Sequence, residues 1–370
     1  MSVDTRQEEV LNSLRVVRDP DLHRDIVSLG FVQNLKIEAG RVGFDIVLTT
    51  PACPVKDRLQ EEAERAVRSL PWVTEVSVAM EAQTRVGRAA GENEQLIPKV
   101  KNVIAIASGK GGVGKSTTSA NVALALAETG ARVGLMDADM YGPNIPLMMG
   151  LKQRPELQNE NGKIIPCRGY GIRLMSIGFF LDPDNPVIWR GPMVHGAIQQ
   201  FLRDVDWGEL DYLVIDLPPG TGDVPLSLSQ LIPLSGAVIV TTPQDVALQD
   251  VAKGMAMFQK LEVPIIGVVE NMSYFICPGC QQKHEIFGSG GGQKIADQFG
   301  VPLLGRIPLE PRVREGGDEG RPIVVTAPDS PVAVAIRDVA GEIARRVSIL
   351  AFGDDGDGLG SAPSLTVVKK

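Results

Sequence analysis

Between residue 99 and about residue 350 two hydrophobic rhythms alternate. Short runs rich in β-branched residues at 103–108, 133–137, 212–216, 237–241, 265–270 and 303–307 predict strands. Between or after them, stretches with apolar residues at helical spacing predict helices over 116–128, 246–261, 293–299 and 331–347. Such alternation predicts an α/β fold with a parallel sheet carrying helices on both faces. Ligands of such sheets bind beyond the carboxyl ends of the strands, so the loops after the strands are where chemistry is expected.

The first 80 residues follow a different pattern. A helix is predicted over 6–17, strands over 31–37, 42–48 and 73–80, and a helix over 55–69 joining the last two strands: a small α+β unit. From 81 to 98 periodicity dissolves into a polar, glycine-containing stretch that reads as a linker. The expected organisation is a small α+β domain over 1–85, a linker over 86–98, a larger α/β domain over 99–350 and a Gly-, Asp- and Ser-rich tail over 351–370 whose composition predicts disorder. The length of 370 residues suits two domains, and no internal repeat is visible.

A formal charge of −8 argues against a protein that coats nucleic acid, so no nucleic-acid partner is expected. No apolar run approaches the roughly 18 residues of a membrane span, and the start Met1-Ser-Val-Asp-Thr-Arg-Gln-Glu-Glu is too polar for a signal peptide. The expectation is a cytoplasmic protein without a membrane partner. In a reducing compartment Cys53, Cys167, Cys277 and Cys280 are read as free thiols or metal ligands rather than disulfides.

Gly109-Lys110-Gly111-Gly112-Val113-Gly114-Lys115-Ser116 satisfies G-x-x-x-x-G-K-[ST] between a predicted strand and a predicted helix. Its glycines let backbone N–H groups converge on phosphate oxygens at a helix N-terminus. On this reading the ligands are ATP and Mg²⁺: Lys115 contacts the β- and γ-phosphates, Ser116 ligates Mg²⁺ and Thr117 reaches the α-phosphate. Two strand ends add acids. Asp139, in Asp137-Ala-Asp139, is placed to orient the attacking water, and Asp216 suits the holding of Mg²⁺ through water. Asp223 reads either as part of that loop or as a helix cap. Asn271, after the 265–270 strand, is a candidate reader of the adenine edge.

Lys110 is a second lysine that the simple P-loop does not need. With it, Lys110–Ser116 resembles the deviant P-loop of the ParA/MinD class, Lys-Gly-Gly-x-Gly-Lys-[Ser/Thr], at every fixed position. That resemblance implies a homodimer with ATP between the subunits and Lys110 reaching the partner's nucleotide as a catalytic cation.

Cys277-Pro-Gly-Cys280 sets two thiols at a turn. Zinc and cubane clusters usually take four thiolates, so the pair is incomplete, a redox dithiol, or half of a site shared by two subunits. Two copies would supply four ligands for a [4Fe–4S] cluster, with structural zinc as the alternative. The chain also resembles the Mrp/ApbC branch of iron–sulfur carrier ATPases. The likeness runs through Gly109–Thr117, Asp137-Ala-Asp-Met-Tyr-Gly-Pro-Asn144, Trp189-Arg-Gly-Pro192, Asp216–Asp223, Thr241-Thr-Pro-Gln-Asp245, Glu270-Asn-Met-Ser273, Cys277–Cys280 and Glu315-Gly-Gly-Asp318. The first unit is similar to a SufT-like iron–sulfur assembly domain through Asp19-Pro-Asp-Leu, Ser28-Leu-Gly and Thr49-Thr-Pro-Ala-Cys53-Pro.

Together these resemblances imply an ATP-hydrolysing dimer that accepts a labile cluster and passes it to apo-proteins, with the cluster assembly machinery as its other partner. The rivals are a ParA/MinD-like partitioning or positioning ATPase without a cluster and a nitrogenase-iron-protein-like reductase. Cys53, just before a predicted helix, reads either as a reactive thiol or as an inert one. Cys167 reads as structural and His284 as a surface residue rather than a ligand.

Overall fold

A computed structural model of the chain describes residues 3–52, 55–82, 84, 96–156, 162–181 and 191–353. Cys53, most of the expected linker, Trp189 with Arg190, and residues 354–370 lie outside the described residues. The chain divides into two compact units, Met1–Arg85 and Val86–Lys370.

The first unit runs α1 (Val3–Leu14), β1 (Val32–Glu38), β2 (Arg41–Leu48), α2 (Lys56–Arg68) and β3 (Glu75–Ala82). Its sheet has the order β1-β2-β3, antiparallel at the hairpin and parallel between β2 and β3, where α2 makes the crossover. Alternate residues of β2, namely Val42, Phe44, Ile46 and Leu48, are buried. The matching stripe on α2 is Leu59, Ala63 and Val67, four residues apart and therefore on one face. Each fully buried valine or leucine there contributes about 1.5–3 kcal/mol.

The second unit runs β4 (Val100–Ser108), α3 (Lys115–Glu128), β5 (Val133–Asp137), α4 (Ile145–Met148), β6 (Cys167–Gly169), β7 (Ile172–Ser176), α5 (Gly191–Arg203), β8 (Leu210–Asp216) and α6 (Asp223–Leu231). It continues with β9 (Gly236–Thr241), α7 (Asp245–Lys260), β10 (Ile265–Glu270), β11 (Phe275–Ile276), β12 (Lys283–His284), α8 (Gly291–Phe299), β13 (Leu303–Arg306), α9 (Pro311–Glu319), α10 (Ile323–Thr326) and α11 (Pro331–Gly353). Eight strands form one sheet in the order β13-β10-β9-β4-β8-β5-β7-β6, parallel except for the edge strand β6.

The central strands are buried on both faces, which is why they read as continuous apolar runs. Val103, Ala105, Ala107, Leu213 and Ile215 share one core with apolar residues of α5, α6, α7 and α8. The alternate residues Ile104, Ile106 and Val214 are equally buried, and α3 and α11 pack on each other and on the sheet. From β4 the order runs to β8 and β5 on one side and to β9 and β10 on the other. The loop after β4 therefore lies at the topological switch point, where a ligand crevice is expected.

Elements α4, β6, β7, α5, α6, β11, β12, α9 and α10 lie outside the strands and helices that the hydrophobic pattern predicts. β6 and β7 form a short edge hairpin turned by Tyr170 and Gly171, both at positive φ. Helix α6 starts in a Pro- and Gly-rich stretch, and β11 with β12 is a two-residue hairpin of the kind periodicity cannot register.

Candidate functional site

Gly114 sits at φ +81 as the N-cap of α3, a left-handed conformation natural only to glycine. A Cβ there would also stand 2.1 Å from the side-chain nitrogen of Asn271. Lys110, Gly111, Gly112, Gly114, Lys115, Ser116 and Thr117 line a cleft of about 620 Å³. Its opposite wall is Asp139, Tyr141, Asn144, Pro218, Pro219 and Asp223. Val113 points inward and is buried, and its carbonyl accepts a 2.8 Å bond from Asn271 Nδ2. Asn271 thus braces the loop from behind with part of its amide. Lys110 is half-buried in the cleft.

The floor is a compact group of charges. Lys115 is only 6% exposed, and its Nζ lies 2.8 Å from Asp216 Oδ2 and 3.9 Å from Asp139 Oδ2. Ser116 Oγ donates to Asp216 Oδ2 at 2.6 Å, and Ser119 Oγ donates to Asp216 Oδ1 at 2.6 Å. Asp216 thus meets both Lys115 and Ser116, the two residues expected to contact phosphate and Mg²⁺.

Parallel pairing of β5 and β8 sets Asp137 opposite Asp216 at the strand ends. Asp137 is fully buried and accepts from Ser176 Oγ at 2.9 Å and from the backbone N–H groups of Asp139 and Ile145. Burial, reinforced by the charge of Asp216, pushes its carboxyl far above the usual carboxylate range. Burial also raises Asp139, against the pull of Lys115. Asp139 is held by the N–H groups of Tyr141 and Gly142, both at 3.3 Å from Oδ1. Asp223 is the first residue of α6, whose N-cap is Gly222, and its place is in the wall of the cleft rather than at the cap.

Sequence reasoning passed over Ser119, Ser176 and Asp137. Ser119 sits one helical turn after Lys115 and turns inward, a signal open to periodicity. Ser176 belongs to β7, a strand the pattern did not reveal.

Cys277 and Cys280 lie at the tip of the β11–β12 hairpin, where Phe275 faces His284 and Ile276 faces Lys283. The Cys277 N–H donates to Gln282 O at 3.0 Å, the Gln281 N–H donates to Cys277 O at 2.8 Å, and Gln281 takes φ +60 to complete the knuckle. Cys277 is half-buried and Cys280 exposed. Backbone N–H groups of Cys280 and Gly279, with the Cys280 thiol, draw the Cys277 thiol below its usual range. Among the described residues no group of three or more His, Cys, Asp and Glu converges as a metal site. His284 is exposed on β12. Cys167 Sγ donates to Gln153 O at 3.4 Å, and burial raises its thiol, as suits an inert residue. Among the described residues no helix is long and apolar enough to cross a membrane.

Residues 99–344 match the ParA family described as NUBPL iron-transfer P-loop NTPase, and residues 7–78 match the iron–sulfur cluster assembly protein family. The chain is 51% identical to the iron–sulfur cluster carrier protein of Synechocystis over 93% of this chain and 99% of that one. It is 46% identical to the carrier protein of Deinococcus radiodurans, over 92% and 96%. Among solved structures, the second unit resembles a nucleotide-binding protein of Archaeoglobus fulgidus in complex with ADP. That match has a TM-score of 0.54 and 40% identity, covering 60% of this chain and 88% of that one. The cell division ATPase MinD of Pyrococcus furiosus follows with a TM-score of 0.50 and 26% identity, over 65% and 98%.

Proposed function

The chain belongs to the NUBPL-type iron-transfer P-loop NTPases of the ParA family, and from that premise we propose that it hydrolyses ATP and carries a labile iron–sulfur cluster to apo-proteins. The observation that carries the reading is the Cys277–Cys280 knuckle, whose strand begins four residues after Asn271, itself bonded to the P-loop. The partitioning alternative is not favoured, because the relatives matched over nearly the whole length are carrier proteins.

The residues present fit a nucleotide and Mg²⁺: a helix N-terminus opened by a left-handed glycine, a buried lysine and a hydroxyl already aimed at a carboxylate. Mg²⁺, when bound, supplies charge neutralisation at the β- and γ-oxygens. Lys115 would contact the β- and γ-phosphates, and Ser116 would be the hydroxyl ligand of the metal. Thr117 meets the α-phosphate. Asp216, oriented by Ser119, would help to hold the metal through water. Asp139, its carboxyl raised by burial, orients the attacking water. Lys110, for which no carboxylate partner occurs among the described residues, serves the nucleotide of a second copy. Asn271 has its Nδ2 engaged by Val113 and offers its amide oxygen to the adenine amine. The cargo, a cluster of the [4Fe–4S] type, is held by Cys277 and Cys280 of two copies.

Anaerobic reconstitution with iron and sulfide tests this, using iron per dimer and the visible spectrum of wild type beside Cys277→Ala/Cys280→Ala. Thiolate-to-iron absorption lost in the variant, with ATP binding intact, is expected. Zinc in place of iron in wild type would make the cysteines structural and refute the carrier reading.

A further inference from the structure

Glu270 is the last residue of β10 and is wholly buried, yet it takes no part in the chemistry derived above. Its Oε1 accepts from Ser273 Oγ at 2.5 Å, and its Oε2 accepts from the Gly292 N–H at 2.5 Å. Ser273 lies just before the cysteine hairpin, and Gly292 lies in the first turn of α8 just after it. One carboxylate therefore clasps both stems of the excursion that carries Cys277 and Cys280. Gly292 is needed for this approach, since a Cβ on it would stand 2.7 Å from Glu270 Cβ. Arg306 adds a weaker contact, with Nε at 3.6 Å from Oε1. The backbone completes the frame: Ile307 N–H donates to Glu270 O at 2.9 Å, Ser273 N–H to Ile307 O at 3.0 Å, and Leu309 N–H to Tyr274 O at 2.7 Å.

The next two residues face the other way. Asn271 Nδ2 bonds Val113 O, and both Asn271 and the methyl of Met272 close on the position where a Gly114 side chain would start. Met272 then takes φ +53, a left-handed conformation unusual for a side chain of its size. Such a backbone persists only where its surroundings over-determine it. Here the surroundings are the P-loop on one side and the Glu270–Ser273 bond on the other.

We infer that Glu270 is a positioning residue for the cysteine pair, and that the Glu270–Ser273 joint makes the geometry of Cys277 and Cys280 depend on what the P-loop holds. The inference rests on the carrier reading for its purpose, since a carrier must link nucleotide state to its grip on cargo. Its mechanism is local. Nucleotide that reorders the Val113–Gly114 backbone moves Asn271 and Met272. The clasp at Ser273 and Gly292 converts that movement into a change at the knuckle instead of letting it dissipate in a loose loop.

The test uses the metal-free full chain and dibromobimane, which bridges two thiols only when they lie close together. The rate of Cys277–Cys280 bridging, quantified on that peptide, is compared without nucleotide, with Mg-ADP and with a non-hydrolysable ATP analogue. Wild type is expected to change rate about fivefold or more between states. Ser273→Ala and Glu270→Gln should bind ADP as wild type does and lose that dependence, and Ser273→Thr, which keeps the hydroxyl, should restore it. If Glu270→Gln does not fold, the serine pair decides. Equal wild-type rates at saturating nucleotide, or a full response in Ser273→Ala, would overturn the inference. Neither result touches the carrier reading, which stands or falls with iron reconstitution.

Discussion

Lys115→Ala is expected to do more than remove a phosphate ligand. The Lys115 ammonium is 6% exposed and lies 2.8 Å from an Asp216 carboxylate that is itself 1% exposed, with Asp139 at 3.9 Å and Asp137 paired to Asp216 across the sheet. Removing Lys115 from among these acids leaves a buried negative charge whose side-chain partners among the described residues are the hydroxyls of Ser116 and Ser119. Breaking a buried pair from one side typically costs about 3–5 kcal/mol, a large share of the roughly 5–15 kcal/mol that holds a protein folded. The informative comparison is Lys115→Ala/Asp216→Asn, in which the orphaned charge is also gone. It should regain about 2 kcal/mol or more over the single variant, while nucleotide binding stays absent in both. Denaturant unfolding of the nucleotide-free full chain, followed by circular dichroism, measures the cycle. If the double variant is no more stable than Lys115→Ala, Asp216 is not carrying an uncompensated charge, and the view of Lys115 as its counter-ion is refuted.

Other expectations follow from the same geometry. Ser119→Ala removes the donor that fixes Asp216 Oδ1 at 2.6 Å; a lost bond to a buried charge costs about 1.5–3 kcal/mol, and the Mg²⁺ concentration for half-maximal ATPase activity should rise, with Ser119→Thr restoring it. Gly114→Ala forces a side chain into the left-handed region, costing about 1–2 kcal/mol, and into the 2.1 Å gap to Asn271; fluorescent-nucleotide titration should show binding lost while the far-ultraviolet spectrum is kept. At Asp211 burial alone would raise the carboxyl, but hydrogen bonds from the Arg132 side chain and backbone and from Lys101 outweigh it and hold it at about 2. Its contribution is complete above the unfolded value of about 4 and is lost as pH falls from about 4 to about 2. With Arg132 half in solvent that contribution is about 1–2 kcal/mol, so Asp211→Asn should be less stable than wild type at pH 6 and equal to it near pH 2 in thermal melts.

The sheet of the second unit was legible because its central strands are buried on both faces and therefore carry unbroken apolar runs, as 133–137 and 265–270 show at their observed limits. The phosphate loop was legible for a related reason. Cradling an anion with backbone N–H groups demands glycine at fixed offsets and a lysine beside them, so local sequence is the specification. The knuckle is equally local, two thiols across a Pro-Gly turn. Some elements were silent: β6 is too short for a period to establish itself, Arg173 interrupts the apolar run of β7, and α6 starts among prolines and glycines. Tertiary structure alone decided which polar groups meet. Parallel register set Asp137 against Asp216, the missed strand β7 brought Ser176 to Asp137, and Glu270 reached across to Gly292, 22 residues on in the chain. Residue type and spacing can announce a loop that binds phosphate. The partners of a buried carboxylate depend on strand order and close approach, and these exist only once the chain is packed.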